Sequence, residues 1–203
     1  MKNITRIKNK IYLEYFKLFF GHKFKYFGKN TAIYFPLRID GMENISIGHN
    51  VQVAPKTWLA ALPLTGENEV QLVIGDGTNI GHFNHIYATK SIIIGQKVLM
   101  ADKVYISDNL HSYENITFPI IEQPIKQISP VEIGDGSWIG ENVCIIGSKV
   151  GKNSVIGANS VVTKDIPDYS VAVGAPAKVI KRYCFSSNKW IRVDENENFI
   201  HAF

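Results

Sequence analysis

Cysteine is scarce in this chain: its 203 residues hold two, Cys144 and Cys184, too few and too far apart for a disulfide framework and matching no zinc-ligand spacing. That scarcity points to a reducing, cytoplasmic setting. Long apolar runs are absent as well. Lys10, Glu14 and Lys17 interrupt every apolar stretch near the N-terminus, which excludes a secretory signal there, and nothing is long enough to span a bilayer. A strong charge surplus is lacking too, with a net charge of only +4, and beyond the first thirty residues no basic stripe of the kind that tracks nucleic acid appears. Nor does the composition break in a way that demands two full domains, so the expectation is one domain with appendages.

The basic charge that is present lies at the front. From Lys2 to Lys29 there are eight Lys or Arg and one acid, Glu14, interleaved with Ile4, Ile7, Ile11, Leu13, Tyr15, Phe16, Leu18, Phe19, Phe20, Phe24 and Phe27 at roughly helical spacing. Residues 1–44 therefore read as a basic amphipathic capping segment, a helix closing the open end of a stacked structure. A second reading gives residues 1–29 a peripheral contact with an anionic membrane that carries a lipid-linked acceptor, at the inner face.

Most of the remainder is a six-residue repeat. Ile47, Ile74, Ile80, Ile94, Met100, Ile133, Ile139, Val150, Ile156 and Val162 each open a unit whose second residue is small and whose fifth is mostly Val, Ser or Thr. Two inward positions in six residues describe a short strand and a tight turn, and glycine recurs where a helix interior would be penalised. Asn, Asp and Gly in mid-unit suit turns with positive φ. The expected fold is an all-β solenoid over residues 45–182, with a tail at 183–203.

Interruptions of the count mark special places. The register gains two residues between Ile86 and Ile94 and loses one between Ile145 and Val150. A long break, residues 109–130, contains Pro119, Pro124 and Pro130 and is an excursion loop of the kind that carries function.

The segments VYISDNLHSY from Val104, WIGENV from Trp138 and VIGANSVVTKDIPDYSVAVGAPAKVIK from Val155 resemble the hexapeptide-repeat acyltransferases, among them the polysaccharide O-acetyltransferases and the galactoside and maltose acetyltransferases. The resemblance covers roughly residues 45–182. It implies a left-handed parallel β-helix, a homotrimer with sites between subunits, acetyl-CoA as acyl donor with no metal required, and a carbohydrate acceptor in polysaccharide biosynthesis.

It also implies roles. His111, at the mouth of the excursion loop, matches the catalytic base, and an imidazole, which titrates near neutrality, can take a hydroxyl proton and return it to a leaving thiolate. Relatives often carry Asp-His-Asn-His where this chain has Asp108, Asn109, Leu110 and His111, so the first histidine of that pattern is missing here. Asn84, a polar residue in an inward slot, is expected to face the cleft and touch the acceptor, the other reading being an internal asparagine bonded to turn backbone. The backbone amide of Glu141 aligns with the oxyanion donor. Trp138, Gly140, Ala158, Thr163 and Lys164 match positions along the coenzyme A track, and Lys178 and Lys181 match basic positions near its phosphates.

Three rival readings use the same residues. His82, His85 and His111 invite a metal site like that of the carbonic anhydrases built on this solenoid, although the spacing does not reproduce their ligands. A non-catalytic trimeric solenoid is a second. Transfer to an amine of an amino sugar is a third, although the first 45 residues are too short for the nucleotide-binding unit such enzymes usually carry.

Overall fold

The computed structural model of the chain describes residues 2–200, with side chains described from residue 6 onwards. The repeat closes into three faces. Two are six-stranded parallel sheets and one has nine strands, and consecutive strands of the chain lie on successive faces, so that each face gains one strand per turn of a left-handed coil. Inward residues stack in columns. On the second sheet Ile33, Val53, Ile80, Met100, Ile139, Ile156 and Ala172 follow one another in register. On the third, Leu59, Ile86, Ile106, Ile145 and Val162 do the same. All of these are buried. Burial of such columns is the main favourable term, and no single coil has enough of it without its neighbours.

The fifth-position Ser and Thr side chains hold the corners together. Thr78 Oγ1 donates to the Gly95 carbonyl and accepts from the Val98 amide, while Ser137 Oγ donates to the Gly151 carbonyl and accepts from the Ser154 amide. Each thus satisfies two backbone groups of the next coil.

The solenoid starts one coil earlier than the expected boundary at residue 45. Tyr26–Phe27, Ala32–Ile33 and Arg38–Asp40 pair in register with the three faces of the following coil. Phe27 and Gly28 stand where later coils have an aliphatic residue and glycine, and a Cβ on Gly28 would lie 2.2 Å from the Gly48 carbonyl oxygen. The close approach of the next coil is therefore what demands glycine, and it holds with an aromatic before it as well. Residues 1–44 combine a cap with this first coil. The cap is α1 (Lys2–Phe20), whose Tyr12 stacks on Phe35 and whose Phe16 packs against Phe24 and Phe27.

Both slips and both long departures are visible in the pairing. Strand partners lie 20 residues apart from His85 to Tyr105, but 17 from Cys144 to Val161. The excursion opens as a hairpin of Asn109–His111 on Ile125–Gln127. The tail extends the second sheet: Lys178–Cys184 runs antiparallel to Ser170–Val173 and is covered by Lys189–Arg192. Its last three residues lie outside the described residues.

Candidate functional site

His111 ends the first arm of the excursion hairpin, exposed to solvent. What holds it there is the residue three places before it. Asp108 is wholly buried; its Oδ1 accepts from the amide and hydroxyl of Thr89 at 2.8 and 3.1 Å, and its Oδ2 from the amides of Lys90 and Ser91 at 2.8 and 2.7 Å. Gln127, opposite Asn109, clamps the other arm by donating to the Asp108 carbonyl and accepting from Thr65, and its Oε1 shares the one Thr89 hydroxyl proton with Asp108. A buried carboxylate is tolerable only with such a set of donors, and the set fixes where the hairpin leaves the coil. The sequence alone singles out neither Asp108 nor Gln127 for this role. Their signal, an acid and an amide flanking the interruption, has meaning only once the corner residues Thr65 and Thr89 are brought to it.

Replacing Asp108 by Asn would set an amide NH2 against amides that need an acceptor. We expect Asp108→Asn to cost about 2–4 kcal/mol in denaturant unfolding and to open residues 109–127 to limited proteolysis. Native stability and protease resistance would remove this anchoring role. Further out, the arms are joined by an ion pair of Lys126 with Glu114, which holds the Glu114 carboxyl down at about 2. Because this pKa is depressed below the ordinary 4.5, the pair steadies the hairpin above that value and is lost as pH falls towards 2.

Asn84 requires a correction. It is 1% exposed, its Nδ2 donates to the carbonyls of Gly81 and Ala101, and its Oδ1 accepts from the Val104 amide at 2.6 Å. The side chain is saturated inside the corner, where it does what Thr78 does in the preceding unit, and it does not reach a cleft. Asn84→Leu should destabilise by about 2–4 kcal/mol, because three backbone groups lose partners. Asn84→Thr should cost less, and neither should lower turnover per folded molecule. A selective loss of turnover would return Asn84 to the acceptor site.

Glu141 sits at the corner between the second and third sheets, exposed, with Nζ of Lys103 bonded to its carboxylate at 2.9 Å. The corner amides at this place fall into two sets: those of Asp76, Asp102 and Asp135, like that of Glu141, have no acceptor among the described residues, and four more are claimed by the next coil. The amides of His49, His82, Gln96 and Lys152 each donate to an aspartate at the same place in the next coil, namely Asp76, Asp102, Asp135 and Asp168. Below Glu141 that place is Ala158, and among the described residues nothing accepts from the Glu141 N–H. The Glu141 N–H is thus without an acceptor, on an exposed residue, and is available to an oxyanion.

The other expected contacts divide between two edges of the third sheet. Trp138, Gly140, Glu141 and Ala158 lie before it, with Trp138 51% exposed beside Leu99 of the same row. The root of the His111 hairpin, Thr163 and Lys164 lie beyond it. Between Glu141 and Gly147, which bonds back to Ser107, the chain turns at Asn142 and crosses the third sheet as the strand Cys144–Ile146. Gly140 is buried, and a Cβ there would meet the Ala158 amide nitrogen at 2.6 Å, so coil packing already requires glycine and no ligand need be invoked. Ala158, Thr163, Lys164, Lys178 and Lys181 are exposed. Lys164 and Lys178 line one cleft of about 470 Å³ together with Asp194, Glu195 and Glu197 of the tail.

The histidines of the metal reading do not share a site. His82 pairs with Asp102 at one corner. His85 lies on the third sheet, stacked on Trp58 at 4.2 Å with Tyr105 at its other side, and burial pushes its pKa down. His111 is on the hairpin. Among the described residues no three His, Cys, Asp or Glu side chains converge.

Comparison with known proteins agrees with this architecture. A family model described as the hexapeptide repeat of succinyl-transferase matches residues 130–164. A putative lipopolysaccharide-biosynthesis O-acetyltransferase of Escherichia coli, WbbJ, is 33% identical over 165 residues, 78% of this chain and 82% of the relative. A probable acetyltransferase of Mycobacterium tuberculosis is 42% identical over 141 residues, 69% of this chain but only 45% of that longer protein. Among solved structures, an N-acyltransferase from Bacillus cereus, AntD, in complex with dTDP and 3-hydroxybutyryl-CoA, superposes with a TM-score of 0.67 at 21% identity, over 79% of this chain and 84% of that one. From its three-faced coil, its repeat and a relative matched over most of both lengths, the chain belongs to the hexapeptide-repeat acyltransferase family.

Proposed function

We propose that the chain is an acetyltransferase that moves an acetyl group from acetyl-CoA to a hydroxyl of a sugar or surface-polysaccharide precursor in the cytoplasm. The observation that carries this reading is the pairing of two prepared groups: His111 held out on an anchored hairpin, and the Glu141 amide left without an acceptor. His111 takes the acceptor hydroxyl proton on an imidazole nitrogen as the oxygen bonds to the thioester carbonyl carbon. The carbonyl oxygen gains negative charge and accepts from the Glu141 N–H. Collapse breaks the C–S bond, and the proton passes from His111 to the departing thiolate. Ala158, small and exposed beneath that amide, leaves room for the donor, and Thr163, Lys164, Lys178 and Lys181 offer it polar and basic partners.

Because the two prepared groups lie on opposite edges of one sheet, we assign each complete site to His111 of one protomer and Glu141 of another in a trimer. Exposed apolar surface at both ends supports that reading. The hairpin tip bares Ile116 and Ile121, 96% and 90% exposed, and the corner row bares Leu99 and Trp138. The polysaccharide relative supports a hydroxyl acceptor, while the AntD likeness bears on the fold alone.

Thiol release from acetyl-CoA, followed with a panel of sugars, polysaccharide fragments and amino sugars, tests the reaction. Turnover on hydroxyl acceptors is the expected result. Turnover confined to amines would replace O- by N-transfer, and a trimer that neither binds coenzyme A nor turns over would leave a structural module.

A further inference from the structure

α1 carries two apolar stripes, and the solenoid uses one. The inward stripe of Tyr12, Phe16 and Phe20 closes the open end of the first coil. Beside it Ile7, Ile11, Tyr15, Leu18 and Phe19 are 59, 65, 53, 72 and 50% exposed. At about 100° per residue these five fall within an arc of roughly 120° that adjoins the inward stripe and is open to solvent. A cap needs only its inner side, and a water-facing helix would carry polar residues on the outer one.

The charge around that stripe is mostly of one sign. Arg6, Lys8, Lys10, Lys17, Lys23 and Lys25 are all exposed, and among the described residues none of them forms an ion pair. Glu14 is the one acid between them. Long basic side chains can lie along an apolar surface with their charges kept in the interfacial water. An exposed apolar stripe rimmed with cations matches one environment better than any other, a hydrocarbon surface beneath negatively charged headgroups. Among the described residues no helix is long and apolar enough to cross a membrane, so α1 would meet the surface alone.

We propose that the outer face of α1 docks on an anionic lipid bilayer, so that the helix, about 28 Å long, lies in the interface and the solenoid stands on its N-terminal end. The reaction proposed above would then take place at a lipid surface, but docking does not depend on that reading, because it is measured without turnover.

The test uses the complete chain, co-sedimented with vesicles of phosphatidylglycerol and phosphatidylcholine, and with vesicles of phosphatidylcholine alone. Binding to the anionic vesicles should be about tenfold tighter or more, and it should weaken as salt is raised. Ile11→Asp with Leu18→Asp, both on the outer side, should abolish it with circular dichroism and thermal unfolding unchanged. Lys10→Glu with Lys17→Glu should weaken it about tenfold or more. Protein that stays in the supernatant at low salt, or either variant binding like the native chain, would overturn the proposal. So would a smaller oligomer from Ile11→Asp with Leu18→Asp, since the stripe would then be covered by a second copy.

Discussion

His111→Ala should lower kcat/KM on a hydroxyl acceptor by about two to four orders of magnitude, the range for loss of a general base, while the circular dichroism, unfolding transition and oligomeric size stay native. The separation follows from the geometry. Asp108 and Gln127 anchor the hairpin, and the His111 side chain, exposed at the end of its arm, holds nothing else in place. A base acts in the transition state, so the loss should fall in kcat more than in KM. An unchanged rate would remove His111 from the mechanism. A drop accompanied by a lower unfolding temperature would instead show that the hairpin had been disturbed.

The scaffold is legible in the sequence because its cause is local. An inward aliphatic followed by glycine recurs wherever the next coil's backbone comes within a few ångströms, as at Gly28 and Gly140. Even so, the first coil escapes the pattern, since Phe27 rather than Ile or Val precedes its glycine. Handedness comes from the resemblance, because periodicity is the same for either hand. Asn84 misleads because a polar residue in an inward slot has two explanations, an unmet need at a cleft or a met need inside a corner. Only the positions of Gly81, Ala101 and Val104 decide between them. His111 stands out through its neighbours in sequence, whereas its support from Thr89 and Gln127 depends on corners that the chain reaches 22 residues earlier and 16 later.

The Glu141 amide is the sharpest case of such hidden information, and it yields the second large effect. Its freedom depends on Ala158, 17 positions further on, as strand partners in that coil are. At four comparable corners the residue in that place is an aspartate that claims the amide above it. Ala158→Asn supplies the same acceptor without charge. The variant should gain about 0.5–1.5 kcal/mol of stability from the new hydrogen bond and lose about a hundred- to a thousandfold in kcat, as expected when one oxyanion donor is withdrawn. Ala158→Asp should match it in kcat and add a rise in KM, because a carboxylate there also repels the phosphates of the donor. Stability up with turnover down is an unusual pair of signs, and steric obstruction of the donor would instead raise KM in both variants alike. If Ala158→Asn turns over at the native rate while its unfolding temperature rises, the amide is claimed without consequence, and Glu141 has no part in the reaction.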